Sequence, residues 1–325
     1  MPRGRRLLWM LVTRASPSAR NPMLPLIAFA KLSGSGNDHI CIDDRDGRFD
    51  ELLASPERVA HFVRTLCQRG LGVGADGLIF ARLPTNAAQA DVAVRHFDPD
   101  GTEPELCGNG SACLVRWVIE SGWVAGKEVR MATPSGIVRG REDAEGYIHV
   151  CIPEPYDLQT DVQITAARRH WTLDYAVTGT PHVVAYVDDV EKVDVARWGA
   201  AIRCHKLFAP RGVNVNFTQV LGVGELAVRT FEFGVEAETL ACGTGSTTAA
   251  LLAARRLGWP KDFTCGGEPV RVHVRSGDTL KVFFLIEDDG TIVKVCLESV
   301  VRFLYRGTLH PELTERAAAG AGWDR

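Results

Sequence analysis

The side chains best placed to do chemistry are two cysteines in matching surroundings. One stretch reads Glu105-Leu-Cys-Gly-Asn-Gly-Ser-Ala-Cys113, the other Leu240-Ala-Cys-Gly-Thr-Gly-Ser-Thr-Thr248. Each sets a cysteine, Cys107 or Cys242, directly before a Gly-x-Gly turn. Each then continues into small and apolar residues that read as a helix, 111–119 and 246–257. The glycines let the backbone turn tightly and approach a ligand closely. The first turn of a helix presents unpaired N–H groups and a partial positive charge. A thiol there is expected to have a lowered pKa and to serve as a thiolate, while the same N–H groups hold a carboxylate. Two such corners face to face make an anion cradle between two thiols. That suits the removal of a proton from one face of a carbon and the return of one to the other.

Most free cysteines are small core hydrophobes, and that reading is kept for Cys41, Cys67, Cys113, Cys151, Cys204, Cys265 and Cys296. The nine cysteines form no dense framework. No Cys-x-x-Cys or His-x-x-x-His spacing suggests zinc, so no metal is expected. Two working thiols fit a reducing, cytoplasmic setting. The glycine-rich stretches lack the strand–GxGxxG–helix setting with a following ribose acid, and no lysine context argues for pyridoxal phosphate. The site is expected to work without a cofactor. Helix N-termini would stabilise an α-carboxylate as it grows toward an enediolate, and burial would exclude water.

The 325 residues are 46% hydrophobic and 24% charged, with a net charge of -3. These are the figures of a soluble globular chain with room for two domains. They give no nucleic-acid footprint, and the expected partner is a small molecule. No stretch is long enough to span a membrane. Residues 1–20 carry five arginines and no acid, around a six-residue apolar run that is short for a signal core. Residues 1–25 therefore read as a disordered or non-native extension, with a transit peptide as the alternative.

Positioning the corners falls to short strands and a few helices. Strands at 26–32 and 39–43 flank Gly34-Ser-Gly-Asn-Asp38, with Asn37 at the tip. Residues 55–69 read as a helix, with Val59, Phe62, Val63 and Leu66 at i, i+3, i+4, i+7. Strands follow at 78–82 and 90–97, the second pointing at Asp98, then the Cys107 helix, then strands at 128–133, 137–141 and 148–152. The second half repeats the plan: strands at 171–177 and 183–187 around Gly179-Thr-Pro-His182, a helix at 190–204, strands at 213–220 and 226–232, the Cys242 helix, and strands at 270–274, 280–284 and 293–297. A last strand, 300–305, is expected to return to the first half. The cysteine corners stand roughly 135 residues apart, too far for a solenoid repeat. The expected fold is α/β (α+β), a duplicated unit with the site in the cleft between the copies. Antiparallel pairing should dominate, because most connections are too short for helical crossovers. The expected units are 26–150 with about 298–312, and 151–297, followed by a tail at 313–325.

Six further stretches accompany the cysteine corners: Phe29-Ala-Lys-Leu-Ser-Gly-Ser-Gly-Asn-Asp38, Gly72-Val-Gly-Ala-Asp-Gly-Leu78, Phe97-Asp-Pro-Asp-Gly101, Thr178-Gly-Thr-Pro-His182, Gly212-Val-Asn-Val-Asn-Phe217 and Arg229-Thr-Phe-Glu-Phe-Gly234. In this order the set resembles the diaminopimelate epimerase family of cofactor-independent amino-acid epimerases. The resemblance implies interconversion of LL- and meso-2,6-diaminopimelate, for lysine and peptidoglycan synthesis, by a homodimer. It implies two similar, pseudo-symmetric domains, each a curved sheet wrapped around its cysteine helix. It also implies that Cys107 and Cys242 exchange acid and base roles with the direction of reaction. Asn37, Gly108 and Asn109 match positions at the reacting end, and Gly243 and Thr244 match the other helix corner. Asn214 matches a contact to the distal end of the substrate, and Glu232 a residue that meets its distal amino group. His182 reads as orienting the loop or a cysteine rather than as a base.

Three of the matched substrate-binding positions depart from the family pattern. Phe233 stands where the family usually has an arginine that grips the distal carboxylate. Asp98 replaces a usual Asn, and Thr180 a frequent one. Losing a charge-assisted pair costs about 1.5–3 kcal/mol or more. Arg211 either supplies a replacement cation or is a solvated loop residue. A two-thiol racemase for a basic or neutral amino acid is therefore the alternative. Proline racemases and hydroxyproline epimerases are similar in fold but usually carry Cys-Gly-His-Gly at the first corner, against which Asn109 argues. Retention of both thiols argues against a non-enzymatic or thiol-free isomerase relative.

Overall fold

A computed structural model describes residues 26–104 and 106–319. The extension expected over 1–25 lies outside the described residues. The first half runs β1 (Ala28–Gly34), β2 (Asn37–Asp43), α1 (Asp50–Leu53), α2 (Pro56–Cys67), β3 (Gly77–Arg82), β4 (Val92–Phe97), α3 (Gly108–Glu120), β5 (Glu128–Thr133), β6 (Gly136–Glu142) and β7 (Ile148–Cys151). After β8 (Tyr156–Ala166) the second half runs β9 (Arg169–Thr178), β10 (Thr180–Tyr186), α4 (Val195–Arg203), β11 (Asn214–Gly222), β12 (Glu225–Glu232), β13 (Ala237–Thr239), α5 (Gly243–Leu257), α6 (Lys261–Thr264), β14 (Val270–Val274), β15 (Thr279–Ile286) and β16 (Ile292–Ser299). The chain closes with β17 (Val301–Thr308) and α7 (Pro311–Ala319).

Apart from the short α1, β13 and α6, the same order occurs twice: a strand pair, a helix, a strand pair, a cysteine-capped helix, three strands. Strands pair in parallel only where a helical crossover joins them: β2 with β3, β4 with β5, β10 with β11, and β12 with β14. The other neighbours are antiparallel, most of them joined by short connections, with β1–β17 and β7–β16 the long-range exceptions. The halves are joined by β7 pairing with β16. The last strand does return to the first half, with β17 alongside β1. The architecture is the expected α/β one, mostly sheet with few helices.

Burial explains which helices form. In α2 the periodic residues Val59, Phe62, Val63 and Leu66 are all buried, against Phe49 and Phe80 among others. α3 and α5 lie in one shared core, to which Leu114, Val118, Leu251, Leu252 and Leu297 all belong. Both are buried over most of their length, as befits helices wrapped by sheet.

The structure corrects several sequence expectations. The helix expected over 190–204 is two pieces. Asp189 caps a single tight turn and Asp194 caps α4 through Arg197 N–H, so the chain restarts between them. β8 has no counterpart in the sequence reading. Most of its residues are exposed, and Thr160 interrupts the alternation of Leu158, Val162, Ile164 and Ala166, so the apolar pattern that marks it is weak. Within the expected tail, the described residues up to Ala319 belong to α7, whose Thr314, Ala317 and Ala318 are buried. Cys151 and Cys296, expected to be inert core residues, sit opposite each other in the β7–β16 register and form a disulfide. Cys204 and Cys265 are exposed, whereas Cys41, Cys67 and Cys113 are buried as expected. No helix among the described residues is long and apolar enough to cross a membrane.

Candidate active site

The repeated sequence folds into repeated geometry. Cys107 is the N-cap of α3 with φ -122 and ψ 114; Cys242 is the N-cap of α5 with φ -118 and ψ 112. Each thiol accepts the N–H three residues on, from Gly110 or Gly245, at 3.3 Å. Cysteine sulfur thus takes the place usually held by Ser or Asp oxygen. The two corners are tied together where Asn109 Nδ2 donates to Ala241 O at 3.3 Å. Only glycine fits at 245, because a Cβ there would lie 2.2 Å from Asn216 Oδ1.

Both thiols open onto one cleft of about 70 Å³, room for a few waters or part of a small ligand. Asn37, Asp98, Gly108, Asn109, Thr180, Asn214, Glu232, Phe233, Gly243 and Thr244 line it with the two cysteines. Sequence reasoning missed Asp76, which also lines it. It lies in the quoted Gly72–Leu78 stretch, so its type and place were visible but not singled out.

His182 is buried behind the cleft. Its Nε2 lies 3.0 Å from both Thr180 Oγ1 and Thr244 Oγ1. Asn216 Nδ2 faces His182 Nδ1 at 3.3 Å while donating to Val183 O, and Asn216 Oδ1 accepts from Thr230. An amide N–H aimed at Nδ1 leaves the ring proton on Nε2. Burial pushes the His182 pKa down to about 3, so the ring is neutral. It holds Thr244, whose Oγ1 lies 3.5 Å from Cys242 Sγ.

The electrostatics overturn one expectation. Burial, joined by Asp98, pushes the Cys107 thiol up to about 12 against the Gly110 N–H that pulls it down. Burial and Glu232 push Cys242 well above the ordinary thiol range. Two N–H groups cannot outweigh desolvation with carboxylates nearby, so both thiols rest protonated. Burial likewise holds Asp98 and Glu232 up to about 7, Asp98 being raised further by Asp100 and Glu232. Glu232 accepts from Thr239 Oγ1 at 2.9 Å and from the Cys242 thiol.

Elsewhere in the cleft, Asn214 donates to Thr180 Oγ1 and accepts the Phe233 N–H. Arg203 and Arg211 sit over the Phe233 ring, 5.3 and 5.7 Å from its centroid. Neither lines the cleft. Arg211, open in the sequence as a replacement cation, lines a separate cavity beside Tyr175 and Phe208.

No local spacing in the sequence pointed to metal ligands, yet folding gathers two suitable groups, His39–His96–Cys107 and Asp143–His149–Glu298.

The fold is that of several solved structures. One is a probable proline racemase from Agrobacterium radiobacter K84 with bound carbonate (TM-score 0.70, 16% identity, 90% of this chain and 95% of that one). Another is a phenazine biosynthesis protein of the PhzF family from Bacillus anthracis (TM-score 0.66, 15% identity, 88% and 100%). The class is thus the paired-unit fold of these proteins. Within it, the diaminopimelate epimerase family model matches residues 29–150 and 175–301. The diaminopimelate epimerase of Aquifex aeolicus is 39% identical over 290 residues, 88% of this chain and 99% of that protein. That of Chlorobaculum tepidum is 36% identical over 280 residues, 86% and 99%. The chain belongs to the diaminopimelate epimerase family and is an isomerase.

Proposed function

We propose that the protein epimerises diaminopimelate at one α-carbon by moving protons between Cys107 and Cys242. The observation that carries this reading is the pair of thiols in the same N-cap geometry on one cleft. A substrate carboxylate is met there by first-turn N–H groups, which stabilise the charge that grows as the α-proton leaves. Glu232 is the acceptor at hand for the Cys242 proton. The resulting thiolate keeps the Gly245 N–H and gains the Thr244 hydroxyl. It takes the α-proton from one face while Cys107 S–H supplies a proton to the other, which leaves Cys242 as thiol and Cys107 as thiolate. In the reverse direction the roles exchange. Cys107→Ala and Cys242→Ala should each abolish epimerisation, followed as deuterium wash-in at Cα with conversion of stereoisomers. Near-normal turnover by either variant would sink the two-thiol reading.

One observation favours a different substrate with the same chemistry. Asp76, Asp98 and Glu232 line the cleft, and among the described residues no lysine or arginine does. That charge pattern suits a basic or neutral distal group better than a second carboxylate.

A further inference from the structure

His39 and His96 take no part in the steps above, yet both are buried beside Cys107. His39 on β2 is opposite Gly77 of β3, and His96 on β4 is opposite Ile79 of the same strand. With no side chain at Gly77, the two rings meet across β3, 5.2 Å between centroids. A Cβ added at Gly77 would lie 2.7 Å from His96 Nε2 and 3.0 Å from His39 Nε2; one at Gly110 would lie 3.1 Å from His39 Nε2 and 3.3 Å from His96 Nε2. Both Nε2 atoms therefore converge on a space that two glycines keep open.

The third wall of that space is Cys107, its Sγ 3.8 Å from His39 Nε2. One ligand atom from each of the three residues lies within 4.8 Å of the others. His96 is 7% exposed, and neither of its ring nitrogens has a hydrogen-bond partner. A small void of about 10 Å³ adjoins His96, Cys107 and Gly110, room for about one water or ion. A buried polar pair left unsatisfied is costly, and these donors fit a tetrahedral ion. With metal–nitrogen and metal–sulfur bonds of the usual length, neighbouring nitrogen and sulfur ligands stand about 3.6 Å apart. The other gathered group is different, because Lys281 already neutralises Glu298.

We infer that His39, His96 and Cys107 form a binding site for a borderline-soft divalent ion of the zinc class, and that occupancy withdraws Cys107 from catalysis. Two imidazoles and one thiolate are the donor set such ions prefer over calcium or magnesium. On binding, the Cys107 S–H bond breaks, its proton goes to solvent and a metal–sulfur bond forms. The inhibition rests on the catalytic reading of Cys107; the site itself does not.

The test titrates the metal-free enzyme with Co²⁺ and Zn²⁺ as their chlorides. One equivalent of Co²⁺ should give the near-ultraviolet thiolate-to-cobalt band and the visible absorption of a tetrahedral ion, both absent in Cys107→Ala. Zn²⁺ should inhibit epimerisation, EDTA should reverse it, and His96→Phe should raise the inhibitory concentration at least tenfold. In the parent enzyme Zn²⁺ should also protect Cys107 over Cys242 from iodoacetamide, mapped by mass spectrometry, which needs no variant to fold. No thiolate band together with no protection would overturn the site. A band with full activity would uphold the site and overturn Cys107 as an acid/base. Equal inhibition of parent and a folded His96→Phe would place the inhibitory ion elsewhere and overturn the proposal.

Discussion

Replacing Thr244 by valine tests how the protonated Cys242 thiol becomes a usable base. The hydroxyl lies 3.5 Å from Cys242 Sγ and 3.0 Å from His182 Nε2. Its bond is among the influences that lower the Cys242 pKa against burial and Glu232. Valine keeps the branched shape and removes the donor. A hydrogen bond to a charged group contributes about 1.5–3 kcal/mol, whereas one to a neutral thiol contributes much less. The loss therefore falls on the thiolate, and kcat/KM should drop roughly ten- to 150-fold. The equilibrium constant between stereoisomers is a property of the solution, so both directions must fall by the same factor. Folding should suffer little, on the order of 1 kcal/mol, because His182 Nε2 keeps Thr180 at 3.0 Å. The assay is stereoisomer conversion with deuterium wash-in, run beside a thermal melt. A Thr244→Val enzyme within twofold of the parent would refute the claim that this hydroxyl supports the Cys242 thiolate.

Asp98→Asn should reveal the cost of a buried carboxyl. Its native pKa is about 7 against an ordinary 3.8, so the folded state holds an extra proton between those values. Stability therefore falls as pH rises through that window and stays lowered above it. The variant should melt higher than the parent near pH 8 and alike near pH 4; parallel melting curves would contradict the assignment. Phe233→Arg combined with Asp98→Asn should raise the ratio of catalytic efficiencies for diaminopimelate over lysine or arginine, because it puts a cation on the cleft wall beside Asn214 and Thr180. A parent already strongly selective for diaminopimelate, and harmed by the change, would mean that Phe233 belongs to a working distal pocket.

What the sequence disclosed was what depends on local pattern. The Cys-Gly-x-Gly corners foretold matching N-caps, and Val59, Phe62, Val63 and Leu66 foretold the buried face of α2. In β8 the alternation of Leu158, Val162, Ile164 and Ala166 is interrupted by Thr160 and only its end is buried, so it is a weak signal. The thiol pKa values went the other way because helix N–H groups are visible in a motif while burial, Asp98 and Glu232 around the sulfurs are not. Cys151 and Cys296 are 145 residues apart, and His39, His96 and Cys107 come from three separate elements. Such meetings are decided by strand register, and no spacing rule along the chain reports them.

The pairing of β1 with β17 also sets a timetable. Two strands of the first half, β1 and β7, complete their pairing only with β17 and β16. On a ribosome adding about 5–20 residues per second, some ten to thirty seconds pass between completion of β7 and of β17. Throughout that interval the nascent half presents two open strand edges, which are templates for pairing with a neighbouring chain. Most of the contacts that close it span more than a hundred residues, the kind that slow folding most. The half that carries Cys107 can therefore enclose its thiol only after nearly the whole protein has been made.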